Sequence, residues 1–286
     1  MKEHTFYSLR NAENDNLKGY TLSEFLEIFL KVYETFERDG YFNEAFGFYC
    51  IDSGYEKGYI ADVELEILLK IRKKNLFPIS EHLNNYSESD LFDIIEFLYQ
   101  HVSKPKDGYF HNFSDCGMHW NTFNKSEGQK EFLKKINDLL NLYEKNYEMT
   151  ENGEILIKPE EGFDTIFKAD IPTKDEKIKQ KLTHAINQFR RQSSSRYDRK
   201  QAVRELADIL EKLRKDIKKY LGSKDENALF DIANNFEIRH FNDKQKGEYD
   251  VIWLTWMFYF YLSTIHTVLR KKEIGIMKDT HSEVIT

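Results

Sequence analysis

Arg239 and His240 stand side by side in "NNFEIRHFND", residues 234–243, with Asn234, Asn235, Asn242 and Gln245 close by in sequence. Cutting RNA without a metal takes a group that moves the 2′-hydroxyl proton, a cation that offsets charge gathering on the phosphate, and donors that orient it. Imidazole suits the first task near neutral pH, and the planar guanidinium fork suits the second. Arg239 and His240 are therefore the candidate catalytic pair, and Asn234, Asn235 and Asn242 the candidate substrate-binding amides. Neighbouring helix residues project about 100° apart, so the same residues also read as a polar network at the start of a buried helix. Arg190, Arg191, Arg196 and Arg199 flank the serines of "RRQSSSRYDR". Arg191, Arg196 and Arg199 are candidate phosphate contacts, and a solvated loop accounts for them equally well.

A second group of reactive side chains lies in "HNFSDCGMHW": His111, Asp115, Cys116 and His119. All four can ligate a metal, yet no second Cys-x-x-Cys or His pair stands at a familiar zinc spacing. The expectation is a tight loop built by Gly108 and Gly117 and lined by Tyr109, Phe110, Phe113 and Trp120, with no metal and no cofactor. Such a loop could recognise a base, a peptide or another protein. Cys50 and Cys116, the only two cysteines, are too few for a disulfide framework. No G-x-x-x-x-G-K-[ST], G-x-S-x-G or H-E-x-x-H is present, which argues against NTPase, serine-hydrolase and metalloprotease chemistry.

The elements that would position these residues are mostly helical. In 286 residues there are 4 prolines and 13 glycines, and 40% of residues are hydrophobic, enough for a real core. Ser or Thr followed three residues later by an acid marks four helix starts: Thr21 with Glu24, Ser87 with Asp90, Thr173 with Glu176, and Ser223 with Glu226. Phe25, Phe29, Val32 and Phe36 recur at helical spacing, and 62–74, 90–102 and 128–147 repeat the pattern. Asn152-Gly153 is a tight-turn dipeptide between strand-forming residues, so a small β-hairpin is expected at 147–158. Turn signals at Pro159, Gly162 and Pro172 place a domain boundary within 150–172. A helical regulatory domain over 1–165 should thus precede a four-helix bundle over 172–275, with helices near 174–192, 198–220, 225–238 and 248–272, and a loosely packed tail at 276–286.

Charge follows the same division. The net charge is -7, but Lys and Arg number 19 against 31 acids over 1–169, 15 against 8 over 170–219, and 8 against 10 beyond. The basic stretch could track phosphates or simply face solvent. Val251–Leu269 carries no Asp, Glu, Lys or Arg and is long enough for a span. Its tryptophans, tyrosines, threonines, serine and histidine favour instead a helix inside a bundle or dimer, with no membrane contact. No signal peptide opens the chain, so a reducing cytoplasm is the expected compartment.

Most of residues 188–270, from "QFRRQSSSRYDRKQAVRELADIL" through "LFDIANNFEIRHF" to "VIWLTWMFYFYLSTIHTVLR", resembles the C-terminal HEPN-type domain of bacterial abortive-infection proteins. "YSESDLFDIIEFLYQHVSKP" and "GYFHNFSDCGMHW" are similar to the N-terminal domain of AbiJ-like members. The resemblance implies an all-α bundle that pairs as a homodimer, RNA as partner, metal-independent ribonuclease activity in antiphage defence, and restraint by an antitoxin or release by a phage-derived trigger. The family's histidine follows its arginine by several residues, whereas the corresponding positions here are Lys244, Gln245 and Lys246. That departure keeps open an alternative: a non-catalytic RNA-binding or protein-interaction module that dimerises through the bundle.

Overall fold

A computed structural model describes residues 6–10, 19–160, 162–235, 238 and 250–283. The chain is mainly α-helical and divides into two compact units, Met1–Leu156 and Ile157–Thr286.

In the first unit a short α1 (Tyr7–Arg10) precedes α2 (Leu22–Arg38), α3 (Asn43–Phe46), the strands β1 (Phe48–Cys50) and β2 (Gly54–Glu56), α4 (Val63–Ile71), α5 (Ile79–His82) and α6 (Glu88–His101). Then come β3 (Lys104–Pro105), β4 (Gly108–His111), β5 (Gly117–Trp120), β6 (Phe123–Asn124), α7 (Lys125–Leu140), β7 (Tyr147–Met149) and β8 (Ile155–Ile157), whose last residue is the first of the second unit. The strands form four two-stranded pairs: β1 with β2, β3 with β6, β4 with β5, and β7 with β8. Helix α2 begins at the expected capping box, where the Thr21 hydroxyl and amide both donate to Glu24. It buries Phe25, Phe29, Val32 and Phe36, as their spacing demands. Phe132 of α7 is fully buried edge-on to Phe36, with ring centroids 5.2 Å apart. Helix α7 also packs on α6, whose Leu91, Ile94, Ile95 and Leu98 complete the core. The Asn152-Gly153 turn forms as expected, with Gly153 at φ 82°.

Three of these strand pairs are absent from the expectation for this region, and the expected helix over 128–147 is shorter, ending at Leu140 before β7. Two- to four-residue strands are too short to set up an alternating pattern that stands out from turn residues.

The second unit holds α8 (Asp164–Lys168), α9 (Glu176–Arg190), α10 (Arg196–Lys212), α11 (Arg214–Leu221), α12 (Ser223–Asn235) and α13 (Val251–Glu283). Helix α10 packs against α9 and α13, and α11 against α12 and α13. The core runs through Leu182, Phe189, Val203, Leu206, Leu210, Ile217, Leu254, Phe258, Tyr261 and Ile265. Phe189 and Phe258 stack at 4.0 Å. Within α13 the buried residues Leu254, Met257, Phe258, Tyr261, Leu262, Ile265, Val268 and Leu269 recur every three or four positions. Val251–Ile274 is apolar and long enough to cross a membrane, but half of its most apolar stretch is buried within the protein, as in a core helix.

Sequence and structure differ at several helix boundaries, and α13 runs on to Glu283, past the expected end at 272 and through most of the tail expected at 276–286. Asp175, not Thr173, caps α9, accepting from the amides of Lys177 and Ile178; the Thr173 hydroxyl instead accepts from the amide of Asp175 itself. Glu226 turns away from Ser223 to accept from Arg214. The helix expected at 198–220 starts at Arg196, behind a Ser195–Asp198 capping box, and breaks at Leu213 into α10 and α11. At the break the Arg214 guanidinium also lies 4.5 Å from the centre of the Phe230 ring.

Candidate functional site

The Arg–His segment sits in the connection between α12 and α13. Arg239, His240 and Asn242 lie outside the described residues, and Asn234 and Asn235 belong to the last turn of α12 with their side chains outside the description. Ile238, between them in sequence, is buried in the second unit's core. The helix that follows presents two faces. One is the buried stripe; the other leaves Ile252, Trp253 and Trp256 exposed by 67%, 46% and 42%. Trp256 stacks on Phe260 at 5.6 Å and meets Trp253 edge-on at 5.8 Å. Sequence reading placed the aromatics on one helix without sorting the exposed face from the buried one.

The arginine group divides. Arg190 is buried, donates to the Ile157 carbonyl at 3.0 Å and covers the Phe167 ring, so it serves the unit's interior. Arg191 and Arg196 are exposed on the turn between α9 and α10, and Arg199 lies over Phe189 at 5.5 Å. The turn thus brings Arg191, Arg196 and Arg199 together at one end of the bundle. His266, a further histidine of α13, is buried, and neither ring nitrogen has a hydrogen-bond partner among the described residues. Burial, with Arg270 nearby, holds its pKa below the usual histidine value, so it is a neutral core residue rather than an accessible base.

The most convergent set of reactive atoms is in the first unit. Gly108↔Trp120, Tyr109↔His119, Phe110↔Met118 and His111↔Gly117 pair across β4 and β5. Ser114 at φ 47°, Asp115 at φ 55° and Gly117 at φ 104° make the tight reversal between them. This reversal brings Cys116 back toward His119, with Sγ 3.3 Å from Nε2. Cys50, at the end of β1, reaches the same place: its Sγ is 3.7 Å from Nδ1 of His111. One ligand atom from each of Cys50, His111, Cys116 and His119 lies within 4.8 Å of every other.

Each of these groups is held from behind. The amide of Ser53 donates to Cys50 Sγ and that of Ile51 to Cys116 Sγ, both at 3.4 Å. Hydrogen bonding from Ser53 outweighs burial and holds the Cys50 thiol below its ordinary pKa. The Tyr109 hydroxyl is 3.3 Å from Nδ1 of His119, and an Asp52 carboxylate oxygen is 4.0 Å from Nε2 of His111. Cys50 is 1% exposed and His119 7%. Of the residues grouped from sequence, His111, Cys116 and His119 come together, while Asp115 is exposed and its place is taken by Cys50, 61 residues upstream of His111. The expected loop is therefore a strand pair docked on a second hairpin. No local spacing joins Cys50 to the other three, which is why a search for zinc motifs passes over it.

No protein-family model matches this chain, and comparison with curated proteins and with solved structures gives no match.

Proposed function

We propose that the second unit is a HEPN-type bundle that works on RNA as a homodimer, in the manner of a metal-independent ribonuclease of antiphage abortive infection. Arg239 would stabilise charge on the phosphate, His240 would transfer the proton, and Asn234, Asn235 or Asn242 would orient the substrate. The observation that carries this reading is the exposed face of Ile252, Trp253 and Trp256 at the start of α13, shortly after Arg239 and His240 in sequence. An exposed apolar face of this kind marks an association surface. Pairing there would draw the two copies of the Arg–His segment toward one cleft, and Arg191 and Arg196 of the turn between α9 and α10 would contact phosphate. The bundle architecture and the resemblance of 188–270 to HEPN-type domains support the same reading.

The test is cleavage of a labelled RNA pool in buffer free of divalent ions, with mass in solution measured by light scattering. The parent should be a dimer that cuts RNA, Arg239→Ala and His240→Ala should be dimers that do not, and Trp253→Glu with Trp256→Glu should give monomers without activity. Undiminished cutting by Arg239→Ala removes the catalytic assignment. A parent that dimerises and binds RNA without cutting supports the non-catalytic module, for which the displaced histidine of the motif is the specific argument.

A further inference from the structure

We propose that Cys50, His111, Cys116 and His119 bind one zinc ion, and that this ion is structural. The chemistry of the donor set selects the metal. Two thiols and two imidazoles are soft to borderline ligands that disfavour magnesium and calcium and suit zinc in a tetrahedral S₂N₂ shell. The geometry fits. With Zn–S of about 2.3 Å and Zn–N of about 2.0–2.1 Å, a tetrahedron sets its S···N edges at about 3.5 Å. The two sulfur–nitrogen separations are 3.7 Å and 3.3 Å, and all four donor atoms fall within 4.8 Å of one another.

Pairwise Cys–His hydrogen bonds could produce each short distance separately, but they give no reason for the two pairs to converge on one point. Three further features follow from a metal and not from isolated pairs. Both sulfurs accept backbone amides, the arrangement that favours thiolates. His119 turns Nε2 inward and presents Nδ1 to the Tyr109 hydroxyl, as ligating histidines do, and His111 turns Nδ1 inward with its Nε2 4.0 Å from an Asp52 carboxylate oxygen. The ligands come from two separate hairpins, β1–β2 and β4–β5, each too small to be stable alone. Four protein ligands close the coordination shell, leaving no position for a substrate or an activated water, so the role is to pin the hairpins rather than to catalyse.

The full chain, produced with zinc in the medium and without a metal-binding tag, should carry one equivalent of zinc by elemental analysis. Cys50→Ser, Cys116→Ser and His119→Ala should lose it. Asp115→Asn, which alters the exposed acid that a sequence-local cluster would use, should keep the full equivalent. Because a ligand variant could fail to fold, the parent is also stripped and titrated with Co²⁺. Intense d–d bands of tetrahedral cobalt with a thiolate charge-transfer band are expected, saturating at one equivalent, and both thiols should react with a disulfide reagent only after chelation. Two outcomes overturn the proposal: a parent with freely reactive thiols and no such cobalt spectrum, or a metal-free mass two hydrogen atoms light from a Cys50–Cys116 disulfide. Neither result touches Arg239 or His240, so this proposal and the ribonuclease reading fail independently.

Discussion

The buried, neutral His101 should make the first unit less stable at mildly acidic pH. This residue ends α6, is 8% exposed, and has Nδ1 2.9 Å from the Tyr59 hydroxyl and Nε2 3.4 Å from the Lys70 ammonium. Lys70 can only donate, so Nε2 is the acceptor and the ring is neutral, with Nδ1–H given to Tyr59. Burial first, then Lys70 and Lys125, push its pKa down from 6.5 to about 4. A folded pKa below the unfolded one means that the contribution to stability is whole above about 6.5 and is lost as pH falls toward about 4. At about 1.36 kcal/mol per unit, the full gap corresponds to roughly 3 kcal/mol, of which about 2 kcal/mol should be gone between pH 7.5 and pH 5. Carboxylates also titrate in this range, so the measurement is a difference between the parent and His101→Gln, which keeps a neutral polar side chain. Native-state hydrogen exchange of peptides from α2, α6 and α7, corrected for intrinsic rates, gives the opening free energy of this unit alone. The parent should lose about 2 kcal/mol more than the variant over that interval. Parallel pH dependences in the two proteins would refute the reasoning.

Other perturbations test the packing. Phe132→Ala removes a fully buried ring wedged against Phe36 and Phe42 and should cost about 3–5 kcal/mol by denaturant unfolding. Gly128→Ala should destabilise although alanine is the better helix former by about 1 kcal/mol; a Cβ there would sit 2.5 Å from the Lys104 amide nitrogen, and a raised midpoint in the same experiment would show that β3 can yield. Ser195→Ala removes the hydroxyl that accepts from the Asp198 amide and donates to its carboxylate, and should lower the stability of the second unit by about 1 kcal/mol, read as faster exchange in the first turn of α10.

What could be read in the sequence and what could not separates by range. The helix faces of α2 and α10, the Thr21 and Ser87 capping boxes and the Asn152-Gly153 turn are encoded within a few residues of where they act, and local pattern finds them. The Ser195–Asp198 box is equally local; it stands in the sequence, inside a run taken for a loop. Thr173 lost its expected role because Asp175, two residues on, offers a carboxylate that accepts two amides and also meets Lys212 at 2.6 Å. The Cys50–His119 cluster is of another kind. Its fourth member arrives by the docking of one hairpin on another, and only the fold supplies that proximity. The same holds for Arg190: Arg191 and Arg196 beside it in sequence are exposed, while its own guanidinium is anchored in the interior.

That anchor bears on where the second unit can be cut free. Phe163 and Phe167 of the α8 region stack on Tyr259 and Phe258 of α13, with Phe163 and Tyr259 4.1 Å apart, and Ile166 and Ile171 pack on the same core. With Ile157 supplying the acceptor for Arg190, residues 157–171 act as a strap tied into the bundle rather than a tether leading to it. A truncated protein beginning at residue 172, where composition alone would place the start, would therefore uncover the faces of Phe258 and Tyr259 that Phe167 and Phe163 stack on, and would remove the Ile157 carbonyl to which Arg190 donates. One beginning before Ile157 keeps both, and is the fragment to use for asking what the bundle does by itself.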